Sequence, residues 1–302
     1  MTYAHANIPA AELALIASDA PFIVARNAAR LAEFAAWSNG TGIVGDTDWG
    51  EVGYETFRLH DLTAHRRSRP STSDTEWYIV FQLPEDETVD TIALINTNFS
   101  EITDLEIRID GANNTTFSSG VEILYEGSLL TDGPHVFAAL NVYTGGEATA
   151  QRFTNLEFVR IYITTTGGVD QIIPEIGEVW IGRRWTLPHP RKANHDHLGY
   201  TGQLRVTGPG GASDVSEDLG YVAARVFDYE ALERDGDSLR GIRDDSGLVR
   251  PVLVVPQGTS GVNEAYLAYF DDYVLPVQTV ADPALYRGAF RLTETAPLLA
   301  GL

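Results

Sequence analysis

From Trp77 onwards apolar side chains return every second residue, and this period constrains the fold more than any other feature of the chain. Trp77, Ile79, Phe81 and Leu83 share one face of a run that Pro84 ends. Residues 89–95 continue the pattern. Leu105, Ile107 and Ile109 then alternate with Glu106, Arg108 and Asp110, and Asp110-Gly111 has the residue types of a turn. Further strands are predicted at 121–125 and 136–142. Val159, Ile161 and Ile163 alternate with Phe158, Arg160, Tyr162 and Thr164, and Val179 and Ile181 oppose Ile176, Glu178 and Trp180. Each of these last two runs is expected to have a buried face and a wetter face. Many short strands at this spacing predict a sandwich, jelly roll or barrel.

The flanks are patterned differently. Pro9 precedes AAELALIA at a first helical turn, and RNAARLAEFAAW places Leu31, Phe34 and Ala35 at helical spacing before the Asn39-Gly40 stop. Between them, Pro21-Phe22-Ile23-Val24 suits a short strand that crosses to another sheet or subunit. Residues 39–75 are rich in Gly, Asp, Thr and Arg, so regular structure there is expected to be short, with a strand hinted at by Phe57 and Leu59. Arg66, Arg67 and Arg69 read as a solvent-exposed basic loop in preference to a contact with an acidic neighbour.

After Trp185 the segment TLPHPRKANHDHLGY is polar and Pro-punctuated, as a linker would be. Beyond it, strands are expected at 203–207 and 221–227, then helical turns through DYEALERDGDSLRGIRDDSG. There Asp237 caps a segment burying Leu239 and Ile242 that stops near Gly247. Val252–Val255 reads as a fully buried strand, followed by strands at 265–270, 272–280 and 286–293. The expected division is 1–38 (helical arm), 39–187 (jelly roll), 188–200 (linker) and 201–302 (a β-rich assembly domain with short helices).

Composition narrows the function. The 302 residues carry a formal charge of −21, which opposes free binding to nucleic acid. No apolar run approaches the roughly 20 residues of a membrane span, and the N-terminus has no basic leader before an apolar core. The absence of cysteine removes disulfides, a thiol nucleophile and thiolate zinc sites. With one Met beside 12 Phe, 13 Tyr and 5 Trp, the core is expected to be built from rigid aromatic side chains.

Two resemblances follow from these residues. The runs WYIVFQLP (77–84), VDTIALI (89–95), LEIRI (105–109), FVRIYI (158–163) and EIGEVW (175–180) resemble the discoidin or galactose-binding-like jelly roll over residues 40–185. The resemblance implies that fold and loops at one end able to hold a sugar. The runs RVFDY (225–229), LRGIR (239–243), RPVLVVP (250–256), YLAYF (266–270) and YRGAFRLTE (286–294) resemble tail-tip and other minor structural proteins of tailed bacteriophages. They imply a ring-forming or adaptor subunit and transfer no functional residue.

Candidate chemistry is sparse. His195-Asp196-His197 lacks a third metal ligand nearby and reads as polar linker. Asp46, Asp48, Asp110, Asp235 and Asp237 lie in calcium-loop-like contexts without the full ligand series, and turn formation accounts for them. No G-x-S-x-G, H-E-x-x-H or phosphate-cradling motif occurs, so no cofactor, metal or enzymatic activity is expected. Trp49 with Asp46, Asp48 and Tyr54 has the residue types of a glycan-binding loop; the alternative is a Trp plugging the jelly roll. Arg183, Arg184 and Trp185 suit an interface anchor, or a Trp covering the domain junction with its arginines in solvent.

The functional expectation is a non-enzymatic virion structural protein of a tailed phage, a tail-tip, distal-tail or other tail or neck ring subunit. It would be made in the host cytoplasm and contact other virion proteins and copies of itself, with no nucleic-acid or membrane partner. The alternatives are a carbohydrate-binding receptor-attachment module recognising a host surface glycan, and a capsid decoration protein.

Overall fold

The structure, a computed structural model, describes residues 4–17, 20–38, 51–60, 66–71, 75–114, 117, 120–128, 134–144, 146–165, 172–187, 192–207, 213–234, 237–248, 250–256, 265–278 and 285–294. Ala4–Asn7 (β1), the helix Ala10–Ala17 (α1), Phe22–Val24 (β2) and Phe34–Ser38 (β3) come first. Glu76–Gln82 (β4), Thr88–Val89 (β5), Thr91–Ile95 (β6), Leu105–Ala112 (β7), Glu122–Ser128 (β8) and Val136–Ala139 (β9) follow. Next are Asn141–Thr144 (β10), Glu147–Thr154 (β11), Phe158–Thr165 (β12), Glu178–Gly182 (β13) and Arg184–Thr186 (β14). Lys192–Thr207 (β15), Ser213–Arg234 (β16), the helix Asp237–Ser246 (α2), Val252–Val255 (β17), Tyr266–Gln278 (β18) and Leu285–Glu294 (β19) complete the order.

The fold is mainly β, a jelly-roll sandwich joined to a second β-rich unit. A five-stranded sheet, β3-β4-β12-β7-β8, faces a three-stranded sheet, β13-β6-β9, and β1, β5, β10 and β11 form a smaller sheet beside them. The alternating residues meet as their period requires: Trp77, Ile79, Phe81, Ile107, Ile109, Val159, Ile161 and Ile163 pack against Ile92, Leu94, Val136, Val179 and Ile181.

The three-stranded sheet has no wet face. Trp180, Ala93 and Ile95 point away from the jelly-roll core and pack against Phe22, Val24, Leu253, Val255 and Leu267. These belong to a seven-stranded sheet, β14-β2-β17-β18-β19-β16-β15. Its opposite face buries Ile23, Trp185, Val252, Val254, Phe227, Tyr229, Phe290 and Leu292 against Leu239 and Ile242 of α2. Three sheets and a helix are thus stacked around three cores. The wetter face expected for Glu178 and Trp180 is corrected by this stacking, since a sheet covered on both sides buries every residue of β6 and β13.

The expected boundaries shift for the same reason. Arg183 alone separates β13 of the jelly roll from β14 of the large sheet, so the chain crosses between units in one residue. Of the expected linker 188–200, residues 192–200 are strand, because β15 starts at Lys192 and pairs along β16, and residues 188–191 lie outside the described residues. Residues 1–38 are not a separate arm: β1 pairs with β11, β2 lies between β14 and β17, and β3 with β4.

Ala28 to Ser38 is not a helix. One 3-10 turn, Ala29–Leu31, precedes β3, in which Ala35 and Trp37 take the two-residue period and face the core. Pairing with the edge of β4 overrides alanine's helical preference. Phe57 and Leu59 lie in a 3-10 turn, Thr56–His60. Asp110-Gly111 continues β7 through an irregularity in its pairing, because Gly111 lets Leu124 and Leu156 approach to where a Cβ would stand only 2.8–2.9 Å away. β11 was not expected. Residues 228–234 extend β16, and the separate strands expected at 265–270 and 272–280 are one bulged strand, β18. α2 behaves as expected: Leu239 and Ile242 are buried, and Gly247 ends it with φ +61°, its N–H donating to the Arg243 carbonyl at 2.8 Å.

Candidate functional site

Strand registers bring four connections to one end of the jelly roll. Ser38 lies beside Tyr78, Glu76 beside Thr164, and Thr165 beside Leu105, so the β3–β4, β12–β13 and β6–β7 connections leave together. Leu94 beside Val136 and Glu178 beside Ile95 bring the β8–β9 connection to the same place. This end gathers residues 51–60 and 66–69, Asn96, Asn98, His135 and Glu175.

The described part of this end is pinned by ionic and amide contacts. Arg67 and Arg69 each donate to Glu175 at 3.1 Å, Arg67 also to Asn96 at 3.1 Å, and Arg69 pairs with Glu51. The expectation of a solvent-exposed basic loop therefore holds for Arg66 but is corrected for Arg67 and Arg69, which find acidic neighbours within the chain. The hydrogen bond from Arg69 holds the Glu51 carboxyl below its ordinary value. Ser68 is buried beneath them, accepting from Trp37 Nε1 at 2.8 Å and bridging to Ile176. Asn98 spans the neighbouring connection, donating to the Ile173 carbonyl and accepting the Glu175 N–H. Loops clamped in this way lose little freedom when a ligand binds.

Around this network apolar side chains reach solvent. Val52, Phe57 and Ile172 are three of the six large apolar side chains exposed among the described residues. Sequence reasoning missed them, together with Glu175; the available signal was an apolar residue in each of two Gly-flanked polar loops. Asp46, Asp48 and Trp49 lie outside the described residues, within the same β3–β4 connection. Tyr54 is described and half-buried, and one of its faces carries the Arg69 guanidinium, 3.9 Å from the ring centroid.

Arg183, Arg184 and Trp185 sit at the junction. Trp185 is 7% exposed, donates from Nε1 to Asp245 at 2.7 Å, and carries the Arg183 guanidinium 3.5 Å from its ring. It covers the junction, with Arg183 half-buried and Arg184 buried. Arg184 is 4% exposed, lies over Phe22, and donates to Thr91 Oγ1 at 3.2 Å. Asp90 organises the surroundings: Oδ1 accepts the Arg184 N–H at 2.6 Å, Oδ2 accepts from Arg152 at 3.0 Å, and Arg152 reaches Glu12 at 2.7 Å. Burial lowers the pKa of both Arg183 and Arg184 and raises that of Glu12. In this chain the cluster joins the two units.

His195, Asp196 and His197 occupy extended backbone in β15, not a curled loop. Asp110 is buried and ion-paired with Arg108 and Arg160. Asp237 opens α2, and Asp235 lies outside the described residues. Among the described residues no group of three or more His, Asp or Glu is arranged to hold a metal ion, and no helix is long and apolar enough to cross a membrane.

No family model matches the sequence, and no curated protein matches it. Among solved structures, the chain is similar to chitosan-binding module 1 of a chitosanase/glucanase from Paenibacillus sp. IK-5, at 17% identity over 52% of this chain and 98% of that one, with a TM-score of 0.36. It is similar to the lectin domain of lectinolysin complexed with Lewis B antigen, at 14% identity over 52% of this chain and 96% of that one, TM-score 0.35. It is also similar to a Ruminococcus gnavus GH29 fucosidase in complex with fucose, at 16% identity over 52% of this chain and 26% of that one, TM-score 0.36.

Proposed function

We propose that the chain is a non-catalytic carbohydrate-binding protein whose jelly roll presents its four-connection end to a glycan. The supporting observation is the conjunction there of exposed Val52, Phe57 and Ile172 with a preorganised Arg67–Glu175–Arg69 network, drawn from the β12–β13 connection and from the β3–β4 connection that also holds Asp46, Asp48 and Trp49. Sugar recognition needs this combination: apolar surface for the ring's C–H face and fixed polar groups for its hydroxyls. On a glycan array the wild-type chain is expected to bind, and Trp49→Ala to lose binding with an unchanged melting temperature. A wild type that binds no glycan refutes the proposal.

A second role, as a ring-forming virion subunit of a tailed phage, draws support from β15 and β16. β16 pairs with β19 from Val226 onwards, whereas residues 197–207 and 213–225 form a two-stranded ribbon with no third strand among the described pairings. Eleven residues at about 3.3 Å each carry it roughly 35 Å outwards. A lone two-stranded ribbon is marginal in water, and its open edge is a template for a neighbour. Sedimentation velocity is expected to show self-association that disappears when residues 198–224 are replaced by a tight turn. A strictly monomeric wild type at high concentration refutes this role.

A further inference from the structure

A second concave site lies where the jelly roll meets the seven-stranded sheet. A cavity of about 360 Å³ is lined by Arg26, Asn27, Arg30, Leu31, Trp180, Arg250 and Tyr269. Three guanidinium groups on one cavity stand out in a chain of net charge −21. Arg26 is paired with Glu87, whose charge Arg250 also feels, but neither Arg30 nor Arg250 makes an ion pair within 4 Å among the described residues.

The other polar groups sharpen the chemistry. Asn27 is spent within the fold: its amide donates to the Val179 carbonyl at 2.9 Å, and its oxygen accepts from Ala29 and Ile181. Trp180 is 1% exposed, and its Nε1, itself sealed from solvent, has no hydrogen-bond partner among the described residues, so it lies behind the cavity wall and is not offered to a ligand. The side chains not already engaged are thus donors, and a complementary ligand is rich in acceptors and negatively charged. The rim adds apolar surface, with Tyr269 42% and Leu31 39% exposed. A bare anion would leave that rim and most of the volume unused, whereas a pyranose ring fills both.

We propose that this cleft binds a sugar carboxylate of hexuronate size, with its carboxylate between Arg30 and Arg250 and its ring against Tyr269. The site is separate from the loop end, so its occupancy does not depend on Trp49.

Calorimetric titration of the full chain with D-glucuronate, D-glucose and acetate tests the proposal. Glucuronate is expected to bind and to raise the melting temperature, with glucose and acetate at least about tenfold weaker, since each lacks either the charge-assisted bonds or the ring contact. Arg30→Gln and Arg250→Gln, both at exposed positions, are each expected to weaken glucuronate about tenfold, while Trp49→Ala leaves it unchanged. Absence of glucuronate binding at millimolar concentration, equal binding of glucose, or affinity insensitive to both arginine variants overturns the site. Equal binding of acetate overturns its sugar component, and loss of glucuronate binding in Trp49→Ala moves the ligand to the loop end.

Discussion

Replacing Gly241 by Ala is a test in which local and tertiary effects have opposite signs. Gly241 lies in the middle of α2, where Ala ordinarily stabilises a helix by about 1 kcal/mol. Here an added Cβ would fall inside the Trp185 ring, meeting Cη2, Cζ2 and Cζ3 well within the roughly 3.5 Å that carbon contacts require. The ring has little room to retreat, because Nε1 is held by Asp245 and the Arg183 guanidinium stacks on it. Overpacking costs about 1–3 kcal/mol, and a fixed aromatic ring places this site at the upper end. Subtracting the helical gain leaves a net loss of about 2 kcal/mol. Equilibrium unfolding in urea, followed by tryptophan fluorescence, measures it. Combining Gly241→Ala with Trp185→Leu should recover part of the loss, and the double-mutant cycle should show coupling above about 0.5 kcal/mol. A more stable Gly241→Ala single variant, or strict additivity, would show that α2 does not pack on Trp185 as described.

Two other perturbations test the buried charges. Asp110→Ala removes the buried carboxylate that pairs with the part-exposed Arg108 and Arg160 guanidinium groups, and urea unfolding is expected to show a loss of about 1–3 kcal/mol. Glu12 has its carboxyl pKa raised above 4.5 by burial, opposed by Arg152. The folded chain therefore holds this proton to higher pH than the unfolded chain, and the contribution is full below 4.5 and lost as pH rises through the raised value. Glu12→Gln is expected to flatten that part of the stability profile in urea titrations from pH 4 to 7; an unchanged slope contradicts the assignment.

The jelly roll was legible because each of its large-sheet strands has one buried face, so Trp77–Ile79–Phe81 and Val159–Ile161–Ile163 carry the period openly. Where a sheet is covered on both sides the signal fades: Trp180 and Glu178 read as a wet face because nothing local announces the second core behind β13. Ala28 to Ser38 misled for a related reason, since its alanines favour a helix and the β4 edge that captures them lies 40 to 48 residues away in sequence. The polar residues 192–200 read as a linker because strand pairing with β16 is a long-range property. At the candidate site, the loop carrying Trp49 and Tyr54 was identifiable from residue types. Its union with Glu175 and Ile172 was not, as only the register of two sheets brings those connections together. The arginine-lined cleft was hidden for the same reason, being assembled from residues 25–27, 30–31, 180, 250–251 and 269.

The most direct test of the proposed function is hydrogen exchange of the full chain with and without a glycan that it binds. Protection is predicted at residues 51–60, 96–98 and 172–177, the connections that meet at one end of the jelly roll. Protection confined to the opposite end, at residues 83–90 and 145–157, would contradict it.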